Sequence, residues 1–307
     1  MKWISLMIKP AEYLKNITGS LLRMGRAAEE NGTEQRMGTL LCTVSNDRFA
    51  VGTAVMLYSM KKHVSDLAGC TVEILADNSI DTLSKKNRTL MQEIIPGLII
   101  TDVDNAVYRN ARCTPEHHRL AYLTLEVFNR TRYRRVLFFD GDMLCLNDFS
   151  SVFSETHEIF GCKTGSRSAR QGLSLSASIN TGFFGISGTL LSQETYRDIL
   201  DVVQNRKDKY IGLLDQKTIN KFRKHAGFPV WLIDYMYNYR DWNNETQFKQ
   251  DLPNIKNLHY SGYAKRPKPW EYERRKKTGY DTHRAYTLWD EYAREMAREY
   301  PAGKHLL

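Results

Sequence analysis

The chain has 307 residues, 42% of them hydrophobic and 26% charged, with a formal net charge of +9. This is enough for one large α/β domain or two modest ones with a substantial core; the composition excludes a disordered chain, and the lack of any run of eighteen apolar residues excludes a membrane-spanning helix. The positive charge calls for an anionic partner: a polyanion such as nucleic acid, an anionic membrane surface, or an anionic substrate.

Residues 1–37 read as a helical extension, with Leu14, Ile17, Leu21 and Met24 at helical spacing and EENGTEQ breaking the pattern. The apolar patch in MKWISLMIKP is too short for a signal peptide and ends at Pro10 without a small-residue cleavage site. Cys42, Cys70, Cys113, Cys145 and Cys162 are odd in number and widely spaced, the usage of free thiols in a reducing compartment. A cytoplasmic protein is expected. Strand Leu40–Val44 opens the folded domain and Ser45-Asn46-Asp47 turns out of it. Residues 49–62 predict an amphipathic helix with Val51, Ala54, Val55, Leu57 and Tyr58 inward. A strand at 71–78, a helix at 81–95, a strand at 98–104, a helix at 116–130 and a strand at 135–139 follow. This alternation predicts a mostly parallel sheet with helices on both faces, whose ligands bind beyond the carboxyl ends of strands.

Val136, Leu137, Phe138 and Phe139 form an unbroken apolar run, as in a strand buried on both faces, and it ends in Asp140-Gly141-Asp142. Two carboxylates two residues apart on an extended chain project the same way, and a divalent cation held by oxygen ligands is the natural relief for their repulsion. The same three residues would equally serve as an ordinary Asp/Gly turn. Further along, Asn180-Thr181-Gly182 precedes an apolar strand, Asp215-Gln216 opens a helix, and His259 lies beside a Gly-containing loop with a cluster of cations. Residues 265–277 hold seven Lys or Arg against two Glu, with Trp270 and Tyr272 interleaved. They lack zinc-ligand spacing, an RNP-type strand or a helix-turn-helix signal, so a nucleic-acid partner is not expected. Leu288, Trp289, Tyr292 and Met296 give a closing helix.

In that order these segments resemble the retaining glycosyltransferases of family 8. CTVSNDRF is similar to that family's nucleotide-binding T-N-D-x-Y segment, FFDGDMLCLNDFSSVF to its D-x-D signature, INTGFFGIS to its N-[ST/A]-G strand, LLDQKTIN to its D-Q-x-x-[LI]-N helix and LHYSGYAK to its H-[YF]-x-G-x-x-K loop. The resemblance covers residues 38–270 and implies a GT-A fold: a Rossmann-like, mixed, mostly parallel sheet flanked by helices, here a single catalytic domain with short helical extensions at 1–37 and 271–307. It implies transfer of a hexose from a UDP-sugar, with retention, to a glycan, lipid-linked or protein acceptor. Carried over by position, Asp140, Asp142 and His259 are the metal ligands; imidazole among carboxylates suits Mn²⁺, with Mg²⁺ as alternative, better than calcium's all-oxygen cage. Thr43, Ser45, Asn46 and Phe49 fall in the base-binding segment, with Phe49 in the stacking position. Arg119 stands where a basic residue reaches the donor, Gly141 lies between the acidic pair, and Asn180 and Asp215 hold sugar hydroxyls. Gln216 faces the anomeric carbon, and Gly262 with Lys265 grips the diphosphate. Here Arg266, Pro267 and Lys268 intervene before Pro269-Trp270, so either Lys265 or Lys268 serves as the phosphate-gripping lysine. The basic 265–277 run and the termini are expected to contact an anionic inner leaflet or to pack on the domain. The Tyr-rich stretch 234–242 is expected to wall a sugar. Two rivals are a polyanion-binding protein and a phosphohydrolase of the haloacid dehalogenase type. The second would use Asp140 as nucleophile and Asp142 as acid, but needs a later acidic pair that the sequence lacks.

Overall fold

The computed structural model describes residues 36–78, 82–108, 111, 116–165, 167, 170–204, 214–261 and 266–306. The helix expected within residues 1–37 lies outside them. Strands β1 (Met37–Val44), β2 (Thr71–Asp77), β3 (Ile99–Val103) and β4 (Tyr133–Phe139) alternate with helices α1 (Ala50–His63) and α2 (Lys85–Ile94) and with a 3-10 helix over Glu116–Asn129. The second half adds β5 (Met143–Cys145), β6 (Ile159–Lys163), β7 (Gly172–Ser174), β8 (Ile179–Ser187), α3 (Gln193–Gln204), α4 (Leu214–His225), β9 (Val230–Leu232), α5 (Glu245–Asp251) and β10 (Asn257–His259). Helices α6 (Tyr272–Thr278) and α7 (Arg284–Glu299) close the chain.

Eight strands form one sheet in the order β3-β2-β1-β4-β8-β6-β9-β7, and β5 pairs with β10 in a separate ribbon. The β1–β2, β2–β3, β1–β4 and β6–β9 pairs are parallel, whereas β8 runs antiparallel to both β4 and β6. The sheet is therefore mixed and mostly parallel, as expected. Antiparallel β8 brings its amino end to the carboxyl end of β4: Phe139 pairs with Phe183, and the Asp140 N–H donates to the Gly182 carbonyl at 2.9 Å. Asn180-Thr181-Gly182 thus lies inside the strand, not ahead of it.

The apolar run of β4 does face two cores. Leu137 and Phe139 pack with α1 and α7 on one side, and Val136 and Phe138 pack with the Glu116–Asn129 helix on the other. One expectation fails locally: α1 is not amphipathic, because every residue from Ala50 to Met60 is buried. It lies under the β5–β10 ribbon and α7, and a helix covered on all sides has no polar face to show. The closing helix α7 buries Leu288, Trp289 and Met296 in the same core as α1. His63 bonds the Tyr292 hydroxyl across that contact at 2.6 Å. Cys42, Cys70, Cys145 and Cys162 are free thiols. Among the described residues, no helix is long and apolar enough to cross a membrane.

Candidate metal centre and donor site

The turn Asp140-Gly141-Asp142 leaves the central strand with the Met143 N–H closing onto the Asp140 carbonyl at 3.2 Å. It rests on the first turn of α1, where space is tight. A Cβ on Gly141 would lie 2.7 Å from the Thr53 hydroxyl, and one on Gly52 would lie 2.8 Å from the Gly141 carbonyl and 2.3 Å from the Trp270 ring. The ribbon then supplies His259, opposite Met143 in register. Its backbone is pinned on both sides, donating to the Tyr239 carbonyl at 2.9 Å and accepting from the Trp242 indole at 3.1 Å.

His259 Nε2 stands 3.4 Å from Asp140 Oδ2 and 3.3 Å from Asp142 Oδ1. One ligand atom from each of the three residues lies within 4.8 Å of the others. The ring abuts the backbone of β8, for a Cβ on Gly182 would meet His259 Cε1 at 2.2 Å and Asp140 Oδ2 at 2.9 Å.

A hydrogen-bonded chain runs back from the ring. His259 Nδ1 bonds Asn238 Oδ1 at 2.8 Å, Asn238 Nδ2 donates to Asn180 Oδ1 at 2.7 Å, and Asn180 Nδ2 donates to Gln216 Oε1 at 2.8 Å. The Thr181 N–H also donates to Gln216 Oε1, at 3.4 Å, and the Thr181 hydroxyl donates to Asp215 Oδ2 at 2.6 Å. Gln216 is buried and its carbonyl oxygen is taken twice, so its amide N–H₂ is the face left to offer.

The electrostatics suit a cation. Burial opposes the charge on Asp142, but the ammonium of Lys268, which bonds Asp142 Oδ2, and then His259 outweigh it and hold this carboxyl below the ordinary range. Burial pushes Asp140 up, and repulsion from Asp142 and then Asp215 adds to it. Its side chain keeps 40% exposure, so solvent tempers the burial effect while leaving the oxygen reachable. Burial likewise raises Asp215 and lowers His259, keeping the imidazole neutral. An imidazole nitrogen and two carboxyl groups converging in this way form the donor set that a divalent metal would take.

Lys268 Nζ also donates to the Tyr260 carbonyl at 3.3 Å and sits 5.8 Å over the Phe49 ring, which meets Trp270 edge-on at 5.5 Å. The chain therefore gathers Asp140, Gly141, Asp142, Asn180, Asp215, Gln216, His259, Lys268 and Phe49 at one strand end. Thr43, Ser45 and Asn46 are each 2% exposed and turn inward. Ser45 Oγ bonds the Thr53 hydroxyl at 2.8 Å, and Asn46 Oδ1 accepts from the Phe49 N–H at 3.0 Å. Gly262, Lys265 and the side chain of Arg119 lie outside the described residues.

The Tyr-rich stretch divides: Tyr235, Tyr239 and Trp242 are buried and the segment carries Asn238 to His259, while Met236 and Tyr237 line a cavity beside Trp231. The basic run is mixed, with Arg274, Lys276 and Lys277 exposed and the other described cations packed on the domain. Lys268 points into the site, Arg266 covers the Trp242 ring at 5.0 Å, and Arg275 is buried against Asp290. Asn238 and Thr181 were the residues that sequence reasoning passed over. An asparagine embedded among aromatics was the available signal, because a buried amide must find partners.

No protein-family model matches the sequence, and no curated protein matches it in sequence. Solved structures do. The galactosyltransferase LgtC, in complex with donor and acceptor sugar analogs, superposes with a TM-score of 0.61 over 83% of this chain and 95% of its own, at 16% identity. The bifunctional glycosyltransferase WbbM gives a TM-score of 0.57 over 85% of this chain and 52% of its own, at 15% identity. The glycosyltransferase GlyE of Streptococcus pneumoniae TIGR4 gives 0.55 over 89% and 64%, at 14% identity. The fold is the GT-A fold of these glycosyltransferases.

Proposed function

We propose that the chain is a metal-dependent retaining glycosyltransferase of the family 8 type, moving a hexose from a UDP-sugar to a glycan, lipid-linked or protein acceptor. The observation that carries the proposal is the convergence of Asp140, Asp142 and a His259 ring of fixed orientation at the β4 end of a GT-A sheet. Asp140, Asp142 and His259 would hold Mn²⁺, or Mg²⁺, which when bound stabilises the negative charge of a departing diphosphate. Lys268 supplies a second positive charge to that diphosphate, and Phe49 offers its ring to the base. Gln216, its carbonyl oxygen engaged, donates its amide N–H toward the sugar and the leaving oxygen, and is therefore not a nucleophile. Asp215 favours the positive charge that develops on the sugar. Asp215 is engaged by the Thr181 hydroxyl, and the acceptor hydroxyl attacks the anomeric carbon on the face the diphosphate leaves. The C1–O bond to phosphate breaks as the new one forms, and the hydroxyl proton passes to the departing phosphate oxygen. Cytoplasmic placement, with peripheral contact to an anionic leaflet through the basic 265–277 run and the termini, belongs to the same proposal.

The test is a calorimetric titration of UDP into the protein with Mn²⁺ and with EDTA, repeated on Asp142→Asn. Metal-dependent binding that the substitution abolishes is expected. Tight UDP binding that ignores both EDTA and the substitution would sink the proposal.

A further inference from the structure

We infer that Asn238 is a positioning residue that fixes the tautomer of His259 and so makes its Nε2 available as a ligand; the inference rests on the metal reading of Asp140, Asp142 and His259. The polarity of the chain of amides follows from two backbone donors. The Gly182 N–H can only donate, so the Asn180 side-chain atom 3.1 Å from it is the oxygen. The Thr181 N–H in the same way makes the Gln216 atom facing it the oxygen, which orients the Asn180 amide nitrogen toward Gln216. The Asn238 atom 2.7 Å from Asn180 Oδ1 must then be its nitrogen, leaving its oxygen to face His259 Nδ1 at 2.8 Å. Nδ1 therefore carries a proton, donated to Asn238, and Nε2 is the nitrogen turned toward Asp140 and Asp142.

That tautomer is not the one the immediate surroundings would choose. Two carboxylate oxygens stand 3.3 and 3.4 Å from Nε2, and a free imidazole there would carry its proton on Nε2 and donate to them. The ring cannot turn to escape, being flanked by Gly182 and anchored through its own backbone to Tyr239 and Trp242. Asn238 is itself wholly buried, at the end of a one-turn helix (Tyr235–Asn238) capped by Asp234, whose Oδ1 accepts from the Met236 N–H at 2.9 Å. It has no solvent to accept from in place of the ring. Orientation of a ligating imidazole through its other nitrogen is a general device for raising metal affinity. In this chain the device continues through Asn180 to Gln216, so the metal ligand and the sugar-facing amide are held by one network.

The experiment uses ¹⁵N-histidine-labelled full-length protein without metal. Long-range ¹H–¹⁵N spectra report which ring nitrogen carries the proton, with His259 assigned by comparison with His259→Gln, and Mn²⁺ alone is then titrated. Wild type is expected to show the Nδ1–H tautomer. Asn238→Leu, which fills the space without an acceptor, should lose that tautomer and weaken Mn²⁺ binding by about 10- to 100-fold. Asn238→Asp, which keeps an acceptor toward Nδ1 while giving up the donor to Asn180 Oδ1, should retain the tautomer. Wild type with its proton on Nε2, or Asn238→Leu with unchanged tautomer and Mn²⁺ affinity, overturns the inference. If Asn238→Leu fails to fold, a shifted tautomer in Asn238→Asp overturns it instead. Wild type that shows the Asn238-dependent tautomer yet binds no Mn²⁺ overturns the metal reading alone.

Discussion

Substituting Gly182 by Ala separates the metal centre from the fold that carries it. The added Cβ would lie 2.2 Å from His259 Cε1 and 2.6 Å from Nδ1. To restore ordinary contact at about 3.4 Å the ring must retreat by about 1.2 Å, several times the roughly 0.2 Å by which a ligand atom departs from its proper distance in a working site. The strand cannot give way instead, because the Gly182 carbonyl holds the Asp140 N–H. Changes to groups that merely orient a ligand weaken metal binding by about 10- to 100-fold, so a displaced ligand should weaken it by about 100-fold or more. Overpacking should cost about 1–3 kcal/mol of stability. Gly185→Ala is the control: on the same strand, its Cβ would meet the Phe160 ring at 2.3 Å and Leu137 at 2.7 Å, away from the site. Mn²⁺ calorimetry and urea unfolding should find both variants destabilised and only Gly182→Ala impaired in metal binding. Near-wild-type Mn²⁺ affinity in Gly182→Ala, or equal loss in both, would refute the argument.

Arg275→Met should destabilise by about 3 kcal/mol, the lower end for breaking a buried pair because Asp290 keeps partial contact with water. Arg275 is 1% exposed and meets both Asp290 oxygens and the Pro269 carbonyl at 2.7 Å; a urea midpoint that does not move would show the pair to be idle. His63 is held neutral by burial and by Lys62, so between its lowered folded value and about 6.5 the unfolded chain binds more protons. Stability from this group is complete above about 6.5 and is lost as pH falls through the folded value, and subtracting the urea profile of His63→Gln should isolate that slope. A difference profile flat below pH 6.5 contradicts the assignment. Gln216→Glu keeps an oxygen for Asn180 and Thr181 but exchanges the free N–H for a carboxylate oxygen. Turnover should drop by about 100-fold, as when one aligned donor is lost, with UDP affinity little changed. Unimpaired turnover, or a glycosylated Gln216 peptide from the wild type by mass spectrometry, would exclude the donor role.

What the sequence revealed and what it hid divide along physical lines. The Val136–Phe139 part of β4 was legible because a stretch covered on both faces carries no polar residue until it reaches the site, so Asp140 and Asp142 stand out against it. The closing helix was legible for a similar reason, its apolar residues recurring at 3.6. Helix α1 misled because periodicity reports which side meets water, and α1 has no such side. Asn238 was hidden because its partners, Asn180 and His259, lie 58 and 21 residues away in sequence. Only the antiparallel return of β8 and the β5–β10 ribbon bring them together. Arg275 reads as one more cation in a basic run, and nothing local marks it as the one that Asp290 draws inside.

Charge at the site gives the order in which its parts can act. For Asp140 and Asp142 to serve as ligands both must ionise, and with Asp215 ionised as well three negative charges would face the one positive charge of Lys268 and would repel an approaching diphosphate. Burial, with repulsion from Asp142 and Asp215, raises Asp140, burial alone raises Asp215, and Lys268 is engaged by Asp142. A dication held by Asp140, Asp142 and His259 would cancel the excess and compete for the Asp142 oxygens, leaving the ammonium of Lys268 for phosphate. On the proposed reading donor binding would depend on the metal for two separate reasons, removal of repulsion and release of Lys268. The EDTA arm of the UDP titration should therefore be silent, not merely weaker. Substantial metal-free binding would mean that Lys268 reaches the diphosphate while still paired, and that this balance of charge does not govern the site.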